Sequence, residues 1–276
     1  MKILFLGDIV GRGARDEITA KLPGLRAEYK LDAVIVNAEN AAHGFGVTGQ
    51  ICADLFKAGV DCVTTGNHIW DQREIIPYIE KEPRLLRPLN FPEGTPGRGV
   101  YTITTARGEK IVVANIMARL FMDALDDPFA AADKLCKSVR LGQDTQALFI
   151  DFHGEASSEK MAMGHYCDGR ASFVVGTHMH VPTADVQIFP KGTGYQTDAG
   201  MCGCYDSVIG MDTALAVNRF VRKMPGEKLK PAEGPVSLCG VMLEVNPKTG
   251  LCTKAEMFRM GGRLAQAIPP LKKDPH

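Results

Sequence analysis

Five short, apolar, β-prone runs in this chain each lead into a side chain with metal-binding chemistry. Residues 3–7 lead to Asp8, residues 34–38 to Glu39 and Asn40, and residues 62–66 to Asn67 and His68. Residues 148–152 lead to His153, and residues 173–177 to His178 and His180. In an open α/β sheet, the strand ends along one edge are where sites assemble. Two carboxylates, two amides and four imidazoles gathered at five strand ends point to a two-metal site. Such a site narrows the chemistry to hydrolysis, most often of phosphate esters.

Bulk properties set wide limits around that reading. A length of 276 residues allows one large α/β domain or two small ones. Lys+Arg and Asp+Glu both number 32, so an extended nucleic-acid surface or an electrostatic membrane anchor is not expected. No stretch approaches the roughly 18 apolar residues needed to span a bilayer. The N-terminal residues lack the long apolar stretch and small-residue cleavage site of a signal peptide. The eight cysteines lie mostly among apolar residues, which suits buried thiols in a cytoplasmic enzyme better than a disulfide framework.

The first third alternates strand and helix. Strands are expected at residues 2–7, 33–37 and 61–65, with helices at 14–29 (broken near Pro23-Gly24), 49–58 (capped by Thr48) and 71–81. This βαβαβ rhythm argues for a parallel sheet. A hairpin follows over residues 100–115, then a helix at 126–141, a strand at 147–152, a helix at 157–166 capped by Ser157 or Ser158, and a strand at 173–176. Later come short strands at 185–189 and 195–198, a helix at 213–222, and long strands at 236–245 and 251–259. These late antiparallel strands suit a second sheet packed on the first. Residues 225–235 read as a loose loop and residues 267–276 as a mobile tail.

Each candidate ligand alone has a plainer reading. A carboxylate after a strand is usually a helix cap, and Asn40 and Asn67 suit turns. The joint pattern outweighs these, because four of the seven histidines fall within two or three residues of a strand end. In extended backbone, His178 and His180 would point to the same side. A structural zinc site normally takes four closely spaced nitrogen or sulfur ligands, which this pattern lacks. A donor set of carboxylate, amide and imidazole suits Mn²⁺, Fe or Zn²⁺ and disfavours Ca²⁺ and Cu(I). Gly7, Gly11 and Gly13 follow a strand, but their G-x-x-x-G-x-G spacing is not that of a dinucleotide loop.

The segments Gly7-Asp8, Gly66-Asn67-His68, His153-Gly154-Glu155 and Gly176-Thr177-His178-Met179-His180 resemble the blocks of the calcineurin-like metallophosphoesterases. Leu6-Gly7-Asp8-Ile9-Val10-Gly11, Asn37-Ala38-Glu39-Asn40-Ala41-Ala42, Thr65-Gly66-Asn67-His68-Ile69-Trp70-Asp71 and Thr197-Asp198-Ala199-Gly200-Met201-Cys202-Gly203 narrow the resemblance to the YmdB-type phosphodiesterases, a bacterial branch acting on cyclic nucleotides. The chain departs from the broader family in two places. Val10 stands where most members have a histidine, and Glu39-Asn40 stands where most have Gly-Asp. The YmdB branch shares this arrangement.

The resemblance implies a four-layer αββα sandwich, with two mixed β-sheets flanked by helices. It implies a single domain over residues 1–262 and a C-terminal tail over 263–276. Asp8, Glu39, Asn40 and His180 would hold one metal, and Glu39, Asn67, His153 and His178 the other, with Glu39 bridging. The metals would be two divalent or trivalent ions, iron or manganese ahead of zinc. The reaction implied is hydrolysis of a phosphodiester, a 2′,3′- or 3′,5′-cyclic nucleotide, by attack of a metal-bridging hydroxide. His68 would stabilise the phosphoryl group or protonate the leaving alkoxide, with Asp71 orienting it or capping a helix. His43 is either substrate-facing or a solvated loop residue, and Arg12 and Arg119 are candidates for phosphate contact. Met201-Cys202-Gly203-Cys204 would form a tight loop near the site. The rival readings are a phosphomonoesterase or protein phosphatase with the same metals, and a non-catalytic metal-binding regulator. The partner expected is a small-molecule phosphodiester, with no membrane; a homo-oligomeric assembly is left open.

Overall fold

The computed structural model describes residues 1–223 and 226–271. The first unit comprises β1 (Lys2–Leu6), β2 (Asp8–Ile9), α1 (Gly11–Tyr29), β3 (Ala33–Asn37), α2 (Gly49–Ala58), β4 (Cys62–Thr64) and α3 (Ile75–Ile79). There follow β5 (Val100–Thr104), β6 (Lys110–Met117), α4 (Pro128–Ser138), β7 (Ala147–His153), α5 (Ser157–Tyr166) and β8 (Phe173–Thr177). The last part holds β9 (Gln187–Ile188), β10 (Gly194–Gln196), β11 (Met201–Cys204), α6 (Thr213–Arg222), β12 (Val236–Asn246) and β13 (Leu251–Gly261).

Alternation along the strands builds the layers. Ile3 and Phe5 of β1 face inward, where they meet Val113, Phe149, Phe173 and Val175 of the other sheet in one apolar cluster. Leu4 and Leu6 face outward onto Ile18, Leu22 and Leu25 of α1 and Leu55 of α2. Val112, Leu148, Ile150 and Val174 likewise turn outward, onto Ala132 and Leu135 of α4 and Met163 of α5. Because side chains alternate faces with period two, a strand buried on both sides must be apolar throughout. β1, β3, β7 and β8 are largely so, and the result is a four-layer αββα sandwich.

One sheet has seven strands in the order β2-β11-β12-β1-β3-β4, with β13 paired to β12. The other has six, in the order β5-β6-β7-β8-β10-β9. β1, β3 and β4 run parallel, as do β6, β7 and β8, so their C-terminal ends open onto one edge of the sandwich.

Several expectations change. Of the late strands, the short β9 and β10 join the second sheet, but the long β12 and β13 do not: β12 pairs antiparallel with β1 from Lys2↔Glu244 to Leu6↔Gly240 and completes the first. The rest of the second sheet comes from the middle of the chain. Helix α1 runs through Pro23 without a break, since Ile18, Leu22 and Leu25 stay buried along its length. The helix expected over 71–81 shrinks to Ile75–Ile79, and the residues before it form turns. Thr48 does cap α2, accepting from the Ile51 N–H, whereas α5 has no side-chain cap. Within the expected loose loop, Asp212 N bonds Lys230 O and Ala232 N bonds Gly210 O, so that stretch is pinned; Pro225 lies outside the described residues. The expected tail is docked at its start, where Ala267 and Arg259 exchange backbone hydrogen bonds and Pro269 O accepts from Tyr29 Oη. Residues 272–276 lie outside the described residues. All eight cysteines are buried and free.

Candidate metal centre

The edge where the parallel strands end carries the expected side chains. Asp8, Glu39, Asn40, His153 and His180 are all buried, and Asn67, His68 and His178 are half-buried. Ligand atoms from Glu39, His153 and His178 lie within 4.8 Å of one another. So do those of Asp8, Glu39 and His180, and Glu39 belongs to both groups. The two amides complete the picture: Asn40 Oδ1 is 3.2 Å from His180 Nε2, and Asn67 Oδ1 is 3.0 Å from His153 Nε2.

A buried carboxylate oxygen normally accepts a hydrogen bond, because leaving it bare forfeits its hydration. Asp8 Oδ1 is buried with no hydrogen-bond partner, and Glu39 Oε1, likewise buried, faces the His153 ring with Nε2 at 3.2 Å. These two buried oxygens, among imidazoles and amide oxygens, fit a pair of cations. The glycine of Gly66-Asn67-His68 is required by the same crowding: a Cβ there would lie 2.2 Å from the His153 ring and 2.4 Å from Glu39 Oε2.

The electrostatics are those of a site built around positive charge. Burial, chiefly, pushes the Asp8 carboxyl up to about 7, despite the nearby His180 and His153. Burial would raise Glu39 too, but the charge of His153 holds it at about 2. Burial would lower His153, yet Glu39 carries it up to about 9. Burial and the His153 charge together depress His178 to about 3, leaving one ring-nitrogen lone pair free to coordinate.

The local backbone corrects one expectation. His178 and His180 do not lie in extended chain; both have positive φ, 98° and 64°. The turn sends His178 to one cluster and His180 to the other. His180 Nδ1 donates to Ile209 O at 2.7 Å, which turns Nε2 toward Asn40.

Other candidates fall outside the cluster. His68 sits at its rim, with Nδ1 2.8 Å from Asp71 Oδ2 and its ring edge-on to Phe45. His43 is exposed and lines a cleft with Arg12, Lys230 and Pro231. Arg12 itself pairs with Asp16 at 3.4 Å on the surface. Arg119 turns toward Asp127, at 3.8 Å. Cys202 and Cys204 belong to strand β11 rather than a tight loop, and their thiols face Cys239 O and Glu233 O.

Three side chains that support the cluster were not expected. Asp151 lies two residues before His153 on β7, so the same face was legible from alternation. It accepts from Thr177 Oγ1, Thr64 Oγ1 and Asn37 Nδ2. Lys160 on α5 and Asp198 after β10 form a buried ion pair behind the histidine turn. Nothing in the local sequence marks Lys160.

Residues 4–258 match the family described as YmdB-like protein. The chain belongs to that family. A relative in Bacillus subtilis (strain 168), named 2′,3′-cyclic-nucleotide 2′-phosphodiesterase, is 48% identical over 256 residues, covering 93% of this chain and 96% of that protein. Among solved structures, a hypothetical protein from Thermus thermophilus matches with TM-score 0.88 and 38% identity, over 95% of this chain and all (100%) of that one. A protein from Mycoplasma pneumoniae, titled a novel phosphatase, matches with TM-score 0.87 and 33% identity, over 99% and 97% of the two chains. Among the described residues, no helix of this YmdB-like chain is long and apolar enough to cross a membrane.

Proposed function

We propose that this protein is a dinuclear metal-dependent phosphodiesterase that hydrolyses cyclic nucleotides, with a 2′,3′-cyclic nucleotide as the substrate to test first. The observation that carries the reading is the pair of buried carboxylates, Asp8 with an unpartnered Oδ1 and Glu39, inside two histidine-bearing groups that share Glu39. The B. subtilis relative's name supports the substrate class. In this reading Asp8, Asn40 and His180 hold one ion, Asn67, His153 and His178 hold the other, and Glu39 serves both. The donor set suits iron, manganese or zinc alike, and the family resemblance puts iron or manganese ahead of zinc. Bound there, a metal pair supplies Lewis acidity and a water of lowered pKa.

The chain's own residues then do the rest. Asp8 and Glu39 offset the cationic charge, and His178, neutral at working pH, offers a free lone pair. His68 is held by Asp71 through Nδ1, which leaves Nε2 to carry a proton to the leaving alkoxide. Residues 1–262 act as one domain, in which both sheets contribute ligands. Eight buried free thiols favour the cytoplasm.

The test is hydrolysis of 2′,3′-cyclic AMP, bis-p-nitrophenyl phosphate and p-nitrophenyl phosphate by Mn²⁺-loaded protein, beside Glu39→Gln and His68→Ala. Diester turnover should vanish in Glu39→Gln. In His68→Ala it should fall about 10²- to 10⁴-fold with metal retained. A metal-loaded wild type that cleaves only the monoester would replace this reading with a phosphomonoesterase.

A further inference from the structure

The turn that carries His178 and His180 is held from behind by charge. Lys160 and Asp198 are 1% and 0% exposed, an unusual burial for either residue type. Lys160 Nζ donates to Asp198 Oδ2 and to Thr177 O, each at 2.7 Å. Asp198 Oδ2 in turn accepts from the Met179 N–H at 3.1 Å, between the two histidines, and Oδ1 accepts from the Gly200 N–H at 2.8 Å. Thr183 ties down the backbone of Asp198 on its other side, through Asp198 N to Thr183 Oγ1 and Thr183 N to Asp198 O. The Lys160 stem runs against the chain at Gly176, where a Cβ would come within 2.9 Å of its Cδ.

Two positive-φ departures at non-glycine residues, two positions apart, persist only where the surroundings over-determine them. One anchor, the His178 N–H to Asp8 Oδ2 at 3.2 Å, depends on a carboxylate that the metal reading already engages. The Lys160–Asp198 pair is independent of the metals. It grips the carbonyl before the turn and the amide in its middle. We infer that this buried pair positions the turn carrying both imidazoles before any metal arrives, beside the Ile209 carbonyl that orients the His180 ring, so that the two metal affinities depend on side chains that touch neither ion. This inference rests on the metal-site part of the proposed function, not on its substrate.

The experiment compares wild type with the neutral pair Lys160→Met/Asp198→Asn. The double substitution removes both charges together, so no lone buried ion is left. Lys160→Met deletes the donor that grips Thr177 O. Asp198→Asn leaves one acceptor oxygen where the carboxylate offers two, so the Met179 and Gly200 amides lose their separate partners and the turn is released. Mn²⁺ titration followed by electron paramagnetic resonance reads both affinity and the exchange-coupled signal of two adjacent ions. We expect a folded double variant, Mn²⁺ affinity lower by about 10- to 100-fold, as for other supporting side chains, and loss of the coupled signal. A folded variant with wild-type affinity and coupling overturns the inference. If the variant does not fold, residue-level hydrogen exchange on wild type decides. The Met179 and Gly200 amides should be as protected in the metal-free protein as with Mn²⁺, and protection that arises only with metal overturns the inference. None of these readouts uses turnover. A wild type that binds two Mn²⁺ and cleaves no diester would remove the phosphodiesterase and leave the positioning role standing.

Discussion

His153 Nδ1 stands 2.8 Å from Thr177 Oγ1, and that hydroxyl donates its only proton to Asp151 Oδ1 at 2.6 Å. Thr177 must therefore accept from the imidazole, which fixes the proton of His153 on Nδ1 and aims Nε2 into the cluster. β7 and β8 impose this arrangement, because His153 and Thr177 are directly paired across the parallel ladder.

Removing that hydroxyl should loosen the tautomer without emptying the core. Thr177→Val keeps the shape of the side chain, and Asp151 retains Thr64 and Asn37 as donors. Mn²⁺ affinity, measured by calorimetric titration, should fall about 10- to 100-fold. Unchanged affinity would show that His153 is oriented by something else.

Metal binding should release protons, with a pH dependence to which Asp8 and His153 both contribute. Without metal, Asp8 holds its proton up to about 7 and His153 up to about 9. Each must be shed for coordination, so affinity rises with pH. These two groups should contribute about two to the slope of log K below pH 7, about one between 7 and 9, and nothing above. His178, depressed to about 3, adds nothing in that range. Calorimetry in buffers of different ionisation enthalpy counts the protons, and a slope of about zero across the neutral range would contradict the assignment.

Gly66→Ala should disable the site through sterics alone. Its Cβ would fall against both the His153 ring and Glu39 Oε2, and β7 fixes the ring so firmly that the loop must move instead. Metal content by elemental analysis should drop below two ions per chain while the circular dichroism spectrum stays that of wild type.

Phe149 tests the joint between the sheets. Its ring lies 5.2 Å from Phe5 of the facing sheet and 6.0 Å from Phe173 beside it, fully buried. Phe149→Ala should lower unfolding free energy by about 3–5 kcal/mol, read from urea denaturation.

Strand by strand, the sequence carried most of the local structure. Residues 33–37 and 173–177 are apolar at every position or nearly so, and strands buried on both faces have to be. Thr48 was legible as a cap because its hydroxyl acts within one turn. The errors cluster where long-range partners decide. β12 and β13 read correctly as strands but not as members of the first sheet, since the pairing of β12 with β1 joins the two ends of the chain. The helix expected over 71–81 gave way to turns as Asp71 engaged His68 and Gln72 reached the Phe45 carbonyl.

The ordered motifs, each ending an apolar run, determined that Asp8, Glu39, Asn67, His153 and His178 would stand at the C-terminal ends of strands. That much follows from side-chain alternation and strand polarity, which are local properties. Only the tertiary structure decided how those ends meet. His180 reaches Asn40 across 140 positions of sequence, and the His178 amide reaches Asp8 across 170. The positive-φ turn, the Asp151–Thr177–His153 chain and the Lys160–Asp198 pair exist because buried polar groups must find partners wherever the packed layers bring them. No short stretch of sequence contains those partners.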